Sequence, residues 1–464
     1  MLKLNIKRII IVFVLVCVVL PFLSGCQARR TLLFLNWGEY INDDLVELFE
    51  DEYNCNLIVD IADSNELFYA KIKSGTTAYD LVCPAEYMVE KMYINNLLQP
   101  IDFSKLESIN PDGNKTNKEC FDEFQQMIMP GVKDVEDYLN DDMYKLSQAL
   151  DFEYDHEGDE INYYHMPYFW GTFGLMYNKR NAVFKDVATY DNDGKFVSDE
   201  PDGDPDILQK DNNAWKVYFF DSSLSAEDSL PTSTRVGAYD SVRFFYGAAM
   251  TYYAGDPNVS VNDNLNAFKD IISRRKYTIW AGDELKHRIF SDNLDIAFNY
   301  TGDCIDMVYL YIQDSIEEGD FKAFEDVPFY TYTPVVTPAH VDTLVIPANA
   351  RHVDLAHAFM DFLLTKEYSW YNNRDIGYCP ILKSVYEMIV NEESPAKDHP
   401  CYIEEDEGEL WWKKQWSTTI QNTFPVVDFE NGDYTPLKSG IPFSYFENSD
   451  IKKLTNTVNN VKAG

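Results

Sequence analysis

Residues 32–98 alternate between short apolar runs and amphipathic stretches, and that alternation restricts the chain to an α/β layer fold. Residues 32–37 form an apolar run of strand length. Asn42 or Asp43 is placed to cap a helix whose Leu45, Leu48, Phe49 and Tyr53 fall on one face. Residues 56–62 read as a second strand. Asp63 or Ser64 then opens a helix through Lys71, and residues 79–83 read as a third strand stopped by Pro84. Such a βαβαβ unit has parallel strands whose C-terminal ends share one edge, and open α/β sheets bind ligands along that edge. Two segments leave predicted strands there, Asn36-Trp37-Gly38-Glu39-Tyr40 and Pro84-Ala85-Glu86-Tyr87. Both combine aromatic with acidic side chains.

Further along, residues 167–178 form an aromatic, strand-like run, and residues 239–254 read as a helix with Val242, Phe245 and Ala249 inward. Residues 295–300 and 343–347 read as strands. Asp354 is placed to cap a helix bearing Leu355, Phe359, Phe362 and Leu363 on one face, and a helix from about residue 449 buries Ile451, Leu454 and Val458. Two stretches differ in composition. Residues 104–160 are acidic and polar, with the run Asp155–Glu160 at their end, and are expected as surface helix and loop. Residues 190–211 are rich in Asp and Gly and read as a solvated insertion. They contain Asp191-Asn192-Asp193-Gly194 and Asp202-Gly203-Asp204, but neither has complete EF-hand spacing.

The chain carries a formal charge of −38, which excludes a nucleic-acid partner because such binding requires basic patches. An acidic surface instead draws small cations toward any cleft. Hydrophobic residues make up 45% of the chain, enough for a substantial packed core. The eight cysteines show no CxxC spacing, and Cys55 and Cys83 read as small core residues. At the N-terminus, Lys3, Lys7 and Arg8 precede an apolar run from Ile9 to Leu23. That run is short of the ~20 residues a membrane-spanning helix needs, so residues 1–25 read as a secretory signal. The junction Leu23-Ser24-Gly25-Cys26 resembles the lipobox of bacterial lipoproteins. The resemblance implies cleavage before Cys26, diacylglyceryl and palmitate-type acylation of its thiol, and anchoring to the extracytoplasmic face of the cell membrane.

Five segments together resemble the substrate-binding proteins of spermidine/putrescine ABC transporters. They are Asn36-Trp37-Gly38-Glu39-Tyr40, Tyr79-Asp80-Leu81-Val82-Cys83-Pro84, Pro167-Tyr168-Phe169-Trp170-Gly171-Thr172, the run from Asp342 to Ala350, and Ile376-Gly377-Tyr378. The resemblance implies a two-lobed periplasmic-binding-protein-like α/β fold with a ligand cleft between lobes. Residues 26–166 plus 341–379 would form one lobe and 167–340 plus 380–464 the other. It implies a polyamine as ligand, no cofactor or metal, and a permease and ATPase on other chains. By motif position, Trp37, Tyr40, Tyr87, Tyr300 and Tyr378 match aromatic cleft positions of the family, and Asp342 matches an acidic one. Asp240 is a further ligand candidate, and Glu39, Glu86, Asp303 and His340 lie beside these positions as additional ones.

A polyamine site needs carboxylates to meet its ammonium ends, because a desolvated charge without a partner is costly. It also needs aromatic faces to cover methylenes and attract cations. The chain departs from the family pattern at several positions. Gly38 and Ala85 stand where small hydroxyl residues are frequent, His340 where tryptophan is frequent, and Ser241 and Phe244 where acids are common. Those departures favour, as the alternative, another solute such as an amino acid or sugar in the same fold. A surface glycosidase needs paired carboxylates, which an acidic chain supplies by chance. The absence of GxSxG, HExxH and P-loop motifs speaks against an enzyme.

Overall fold

The computed structural model describes residues 29–133, 162–181, 183–184, 189–190, 196–197, 206–209, 213–437 and 440–463. The signal segment, Cys26 and the acidic run 134–161 lie outside the described residues, as do both Asp-Gly motifs of the second polar stretch. The predicted βαβαβ unit is present as a three-stranded parallel sheet. β1 (Thr31–Asn36) is central, flanked by β2 (Asn56–Ile61) and β3 (Leu81–Val82). The Asn42 side chain accepts from the Asp44 and Leu45 amides and starts α1 (Asp43–Tyr53), which buries Leu45 and Phe49. Ser64 caps α2 (Asn65–Ser74) through the Leu67 amide, and Gly75, at φ +63°, ends it. β3 is shorter than expected. Tyr79 turns to share Asp60 with Lys71, and Pro84 brings no N–H to the ladder. α3 (Glu86–Ile94) follows and is buried from Glu86 to Tyr93.

The described part of the stretch from residue 104 is surface loop and helix as expected, but the helix docks one face on the core. A capping box of Thr116 and Glu119 starts α4 (Asn117–Met127), whose Cys120, Phe121 and Phe124 are buried, with Phe121 stacked on Tyr163. Three apolar side chains on one helical face suffice to dock a helix whose average composition is polar.

The larger sheet has seven strands. They are β4 (Met166–Asn178), β5 (Val236–Tyr239), β6 (Ile279–Ala281), β7 (Ile296–Tyr300), β8 (Phe329–Tyr332), β9 (Pro338–Leu344) and β10 (Ile441–Pro442), in the order β10-β9-β4-β7-β5-β6, with β8 also paired to β4. All thirteen residues of β4 are buried, which explains its unbroken aromatic run. Its first half pairs with β9 and its second half with β7 and β8. β9 starts earlier than expected, so His340 and Asp342 are strand residues rather than a lead-in. The register of β9 shifts between Asp342 and Thr343. Beyond that shift Val345 exchanges both backbone hydrogen bonds with Val82. β9 stays paired with β4 through Leu344 while bridges from Asp342 to Ala85 and from Val345 to Val82 tie the same stretch to the small sheet, so Asp342 sits at the seam between the two sheets.

Four helices lead from these strands or pack around them: α5 (Val242–Ala254), α6 (Glu284–Phe290), α7 (Thr301–Glu317) and α8 (Val353–Leu364). Asp354 does not cap α8. The distant Asp80 accepts from the Arg351 and His352 amides at 2.8 Å each, while Asp354 pairs with Arg30. The fold is completed by α9 (Lys366–Ile376), α10 (Glu407–Thr423) and α11 (Asn448–Ala463). The six described cysteines, Cys55, Cys83, Cys120, Cys304, Cys379 and Cys401, are all free and buried. No helix among the described residues is long and apolar enough to cross a membrane.

Candidate functional site

Strand-to-helix turns from both sheets converge on one cleft of about 1440 Å³. From the small sheet come the turn after β1, with Trp37, Glu39 and Tyr40, and the first residues of α2 and α3, with Glu66 and Tyr87. From the large sheet come Tyr239 and Asp240 after β5, and Tyr300 with Asp303 where β7 passes into α7. Asp342 enters from the seam and Tyr378 from the turn after α9. The lining carries eleven carboxylates against only two basic side chains, Arg243 and Lys286, so the field in the cleft favours cations. Seven aromatic side chains share the wall.

Asp342 is the most confined of these acids on the seam side, at 8% exposure. Tyr40 donates its hydroxyl to Asp342 Oδ2 at 2.7 Å. Tyr40 is itself fixed from behind, where its carbonyl accepts from Tyr168 Oη at 2.8 Å and Asn36 Nδ2 at 3.1 Å. Burial raises the Asp342 carboxyl to about 7, against the Tyr40 hydrogen bond, which favours the ionised form. Among the described residues no lysine or arginine pairs with Asp342. Its basic neighbour among the described residues is His340, whose Nε2 is 4.0 Å away. Burial holds that imidazole down to about 3, so it stays neutral and supplies no counter-charge. The Tyr378 ring stands edge-on to Tyr40 at 5.3 Å, and Tyr300 packs against the His340 ring at 4.7 Å. Asp342 is therefore a buried carboxyl that titrates near neutrality in an aromatic setting, with no cationic partner among the described residues.

A second acidic group of the cleft is built differently. Asp303 is 5% exposed, and burial lifts its carboxyl to about 7 although Lys286 works against the shift. Lys286 Nζ lies 2.6 Å from Asp306 Oδ2 and 4.0 Å from Asp303 Oδ1. Asp283 adds its charge and takes the Tyr239 hydroxyl as a hydrogen-bond partner. Asp240 is paired with Lys462 from α11, whose ammonium also lies over the Trp280 ring at 4.8 Å. Trp37 packs on Phe68 at 4.7 Å, and its buried Nε1 has no protein partner.

The structure brings Trp37, Glu39, Tyr40, Tyr87, Asp240, Tyr300, Asp303, Asp342 and Tyr378 to the cleft wall. It does not bring Glu86 and His340 there. Glu86 lies beneath the wall, where its two oxygens accept from the Val341 and Phe443 amides at 3.1 and 3.2 Å. Burial raises its carboxyl to about 8 against those amide bonds. Glu86 thus ties β9 and the segment after β10 to α3. Sequence reasoning missed Glu66, Tyr239, Asp283, Lys286 and Asp306. Tyr239 and Asp283 had a readable signal, since each follows a strand, whereas the pairing of Lys286 with Asp306 depends on helix packing.

The sequence profile of bacterial extracellular solute-binding proteins matches residues 45–399. The chain belongs to that family. Its members capture solutes and are not enzymes. Among relatives, the putrescine-binding periplasmic protein PotF of Escherichia coli strain K12 is 23% identical over 420 residues, covering 89% of this chain and 92% of the relative. The putrescine-binding periplasmic protein SpuD of Pseudomonas aeruginosa is 25% identical over 343 residues, covering 73% and 75%. Among solved structures, the spermidine/putrescine transporter substrate-binding protein of Streptococcus pneumoniae superposes with a TM-score of 0.57 at 20% identity, covering 94% of this chain and 99% of that one. The Tp0655 lipoprotein of Treponema pallidum gives 0.55 at 18% identity, covering 94% and 100%. These structures share the periplasmic-binding-protein fold with this member of the family.

Proposed function

We propose that this protein captures a polyamine, putrescine or spermidine, outside the cytoplasm and delivers it to the permease of an ABC importer. The observation that carries the reading is Asp342, a buried carboxylate held by Tyr40 among aromatic rings with no lysine or arginine partner among the described residues. An alkylammonium supplies the missing charge, and the rings of Tyr40, Tyr300 and Tyr378 cover its methylenes. Trp37 and Tyr87 extend the aromatic wall, and Glu39 and Asp240 stand at the cleft as outer acids. The names of the relatives, which bind putrescine or spermidine, agree with this chemistry.

The lobes are assigned as 26–166 with 341–379, and 167–340 with 380–464. Supporting this division, β9 is paired with β4 in the large sheet, and the same stretch bridges the small-sheet side through Asp342 to Ala85 and Val345 to Val82. Closure is then a hinge movement about those two strands. The lipobox-like junction supports anchoring through Cys26.

Calorimetric titration of the purified protein with putrescine and spermidine tests the reading. Micromolar or tighter binding of at least one is expected, and Asp342→Ala should weaken it by at least about tenfold, because one ammonium loses its counter-charge. Absence of heat with both amines on folded protein would overturn the polyamine assignment. An unchanged affinity in the variant would remove Asp342 from the site.

A further inference from the structure

We propose that Lys286 limits how many ammonium groups the cleft takes, its ammonium filling the cation subsite formed by Asp303 and Asp306 as a built-in substitute for one ammonium of the ligand. The proposal rests on the polyamine reading of the same cleft and names which polyamine it is shaped for.

The two acidic sites of the cleft contrast. At the seam, Asp342 has a tyrosine hydroxyl and a neutral imidazole beside it. At the second site, Asp303 and Asp306 face Lys286, whose side chain is only 13% exposed and lies on the cleft wall. Burial works against the Lys286 ammonium, yet Asp303 and Asp306 outweigh it and hold its pKa above the ordinary lysine value. The lysine is therefore charged at every pH at which a polyamine is charged.

A ligand ammonium arriving at Asp303 and Asp306 would meet carboxylates that already have a partner. To use them it must displace a tethered cation from its pair, at the cost of leaving that cation unpaired. Asp240 carries the same cost, being already paired with Lys462. A ligand with one ammonium at Asp342 and a second toward Glu39 avoids this cost. A longer triamine, with a further ammonium to place, does not. Discrimination of this kind comes from a repulsive element as much as from attractive ones. The cleft is thus shaped for a diamine, and a triamine is disfavoured by Lys286.

The test compares dissociation constants for putrescine and spermidine, measured by calorimetry on the full-length wild type, Lys286→Gln and Lys286→Arg. The spermidine-to-putrescine ratio of dissociation constants should fall by at least about tenfold in Lys286→Gln and keep its wild-type value in Lys286→Arg. If Lys286→Gln does not fold, as judged by thermal melting, Lys286→Gln combined with Asp306→Asn removes the pair as a unit and carries the same expectation. Binding of both amines with an unchanged or raised ratio overturns the role of Lys286 and leaves the polyamine reading standing. Spermidine binding that appears only in the variant supports the role. Failure of every protein to bind either amine overturns the role and the polyamine reading together.

Discussion

Asp342 couples recognition to pH because its carboxyl titrates near neutrality. Folding raises it to about 7 from an ordinary value near ~4, so the native state without ligand holds a proton over that window which the unfolded chain releases. The stability associated with this group is present below the unfolded value and is lost as pH rises through 7. Ligand affinity runs the opposite way, since an ammonium selects the ionised carboxylate. The ligand itself stays protonated well above this range, alkylammonium groups titrating near ~10. Binding should weaken by about tenfold between pH 8 and pH 6, with release of roughly half a proton at pH 7. Titrations in buffers of different ionisation heat measure that proton directly. In Asp342→Asn both the affinity and its pH dependence should fall. Retention of the full pH dependence would assign it to Asp303, which burial raises to a similar value.

Elements position these residues through close approaches that tolerate little. Tyr378 follows Gly377, which ends α9 at φ +75°, where an added Cβ would meet the Asp306 amide nitrogen at 2.9 Å. Across from it, a Cβ on Gly302 in the first turn of α7 would land 2.4 Å from the Tyr378 ring. Gly377→Ala should lower the unfolding free energy by about 1–2 kcal/mol, the usual cost of forcing an L-residue into the left-handed region. A shift of the urea midpoint at constant slope would show this, and no shift would mean that the turn relaxes. The same scale decides what could be read in advance. α1, α2 and their caps were legible because a cap and its amides lie within three residues, and the apolar spacing repeats every turn. The cleft residues at strand ends were legible through the edge rule for α/β sheets, which needs only the strand boundaries. The first turn of α8 was not, because Asp80 bonds to it from 271 residues away in sequence. Glu86 misled for a related reason. A carboxylate beside a cleft motif looks like a ligand until the amides of Val341 and Phe443 are found on it.

At the scale of the molecule, the described chain enters the small sheet at the edge opposite the cleft. The described chain enters β1 at Thr31, next to Arg30, which is paired with Asp354 at the start of α8. The cleft begins where β1 ends, after Asn36, roughly 20 Å further on at the usual rise of a strand. A lipid on Cys26 would therefore hold the protein from behind, leaving the turns with Trp37, Tyr40 and Tyr87 turned from the anchored end. It would also keep an acidic receptor near its permease, with two acyl chains giving the stable attachment that one chain does not. Cys26→Ser removes the acylation site and leaves both sheets untouched. The variant should leave the membrane fraction, or remain as unprocessed precursor, and bind its ligand with the wild-type dissociation constant. Fractionation of cells followed by titration of the recovered protein checks both halves of that expectation. Continued membrane retention with the signal removed would sink the lipid anchor. A changed affinity would mean that the N-terminal residues reach the cleft, contrary to the direction in which β1 runs.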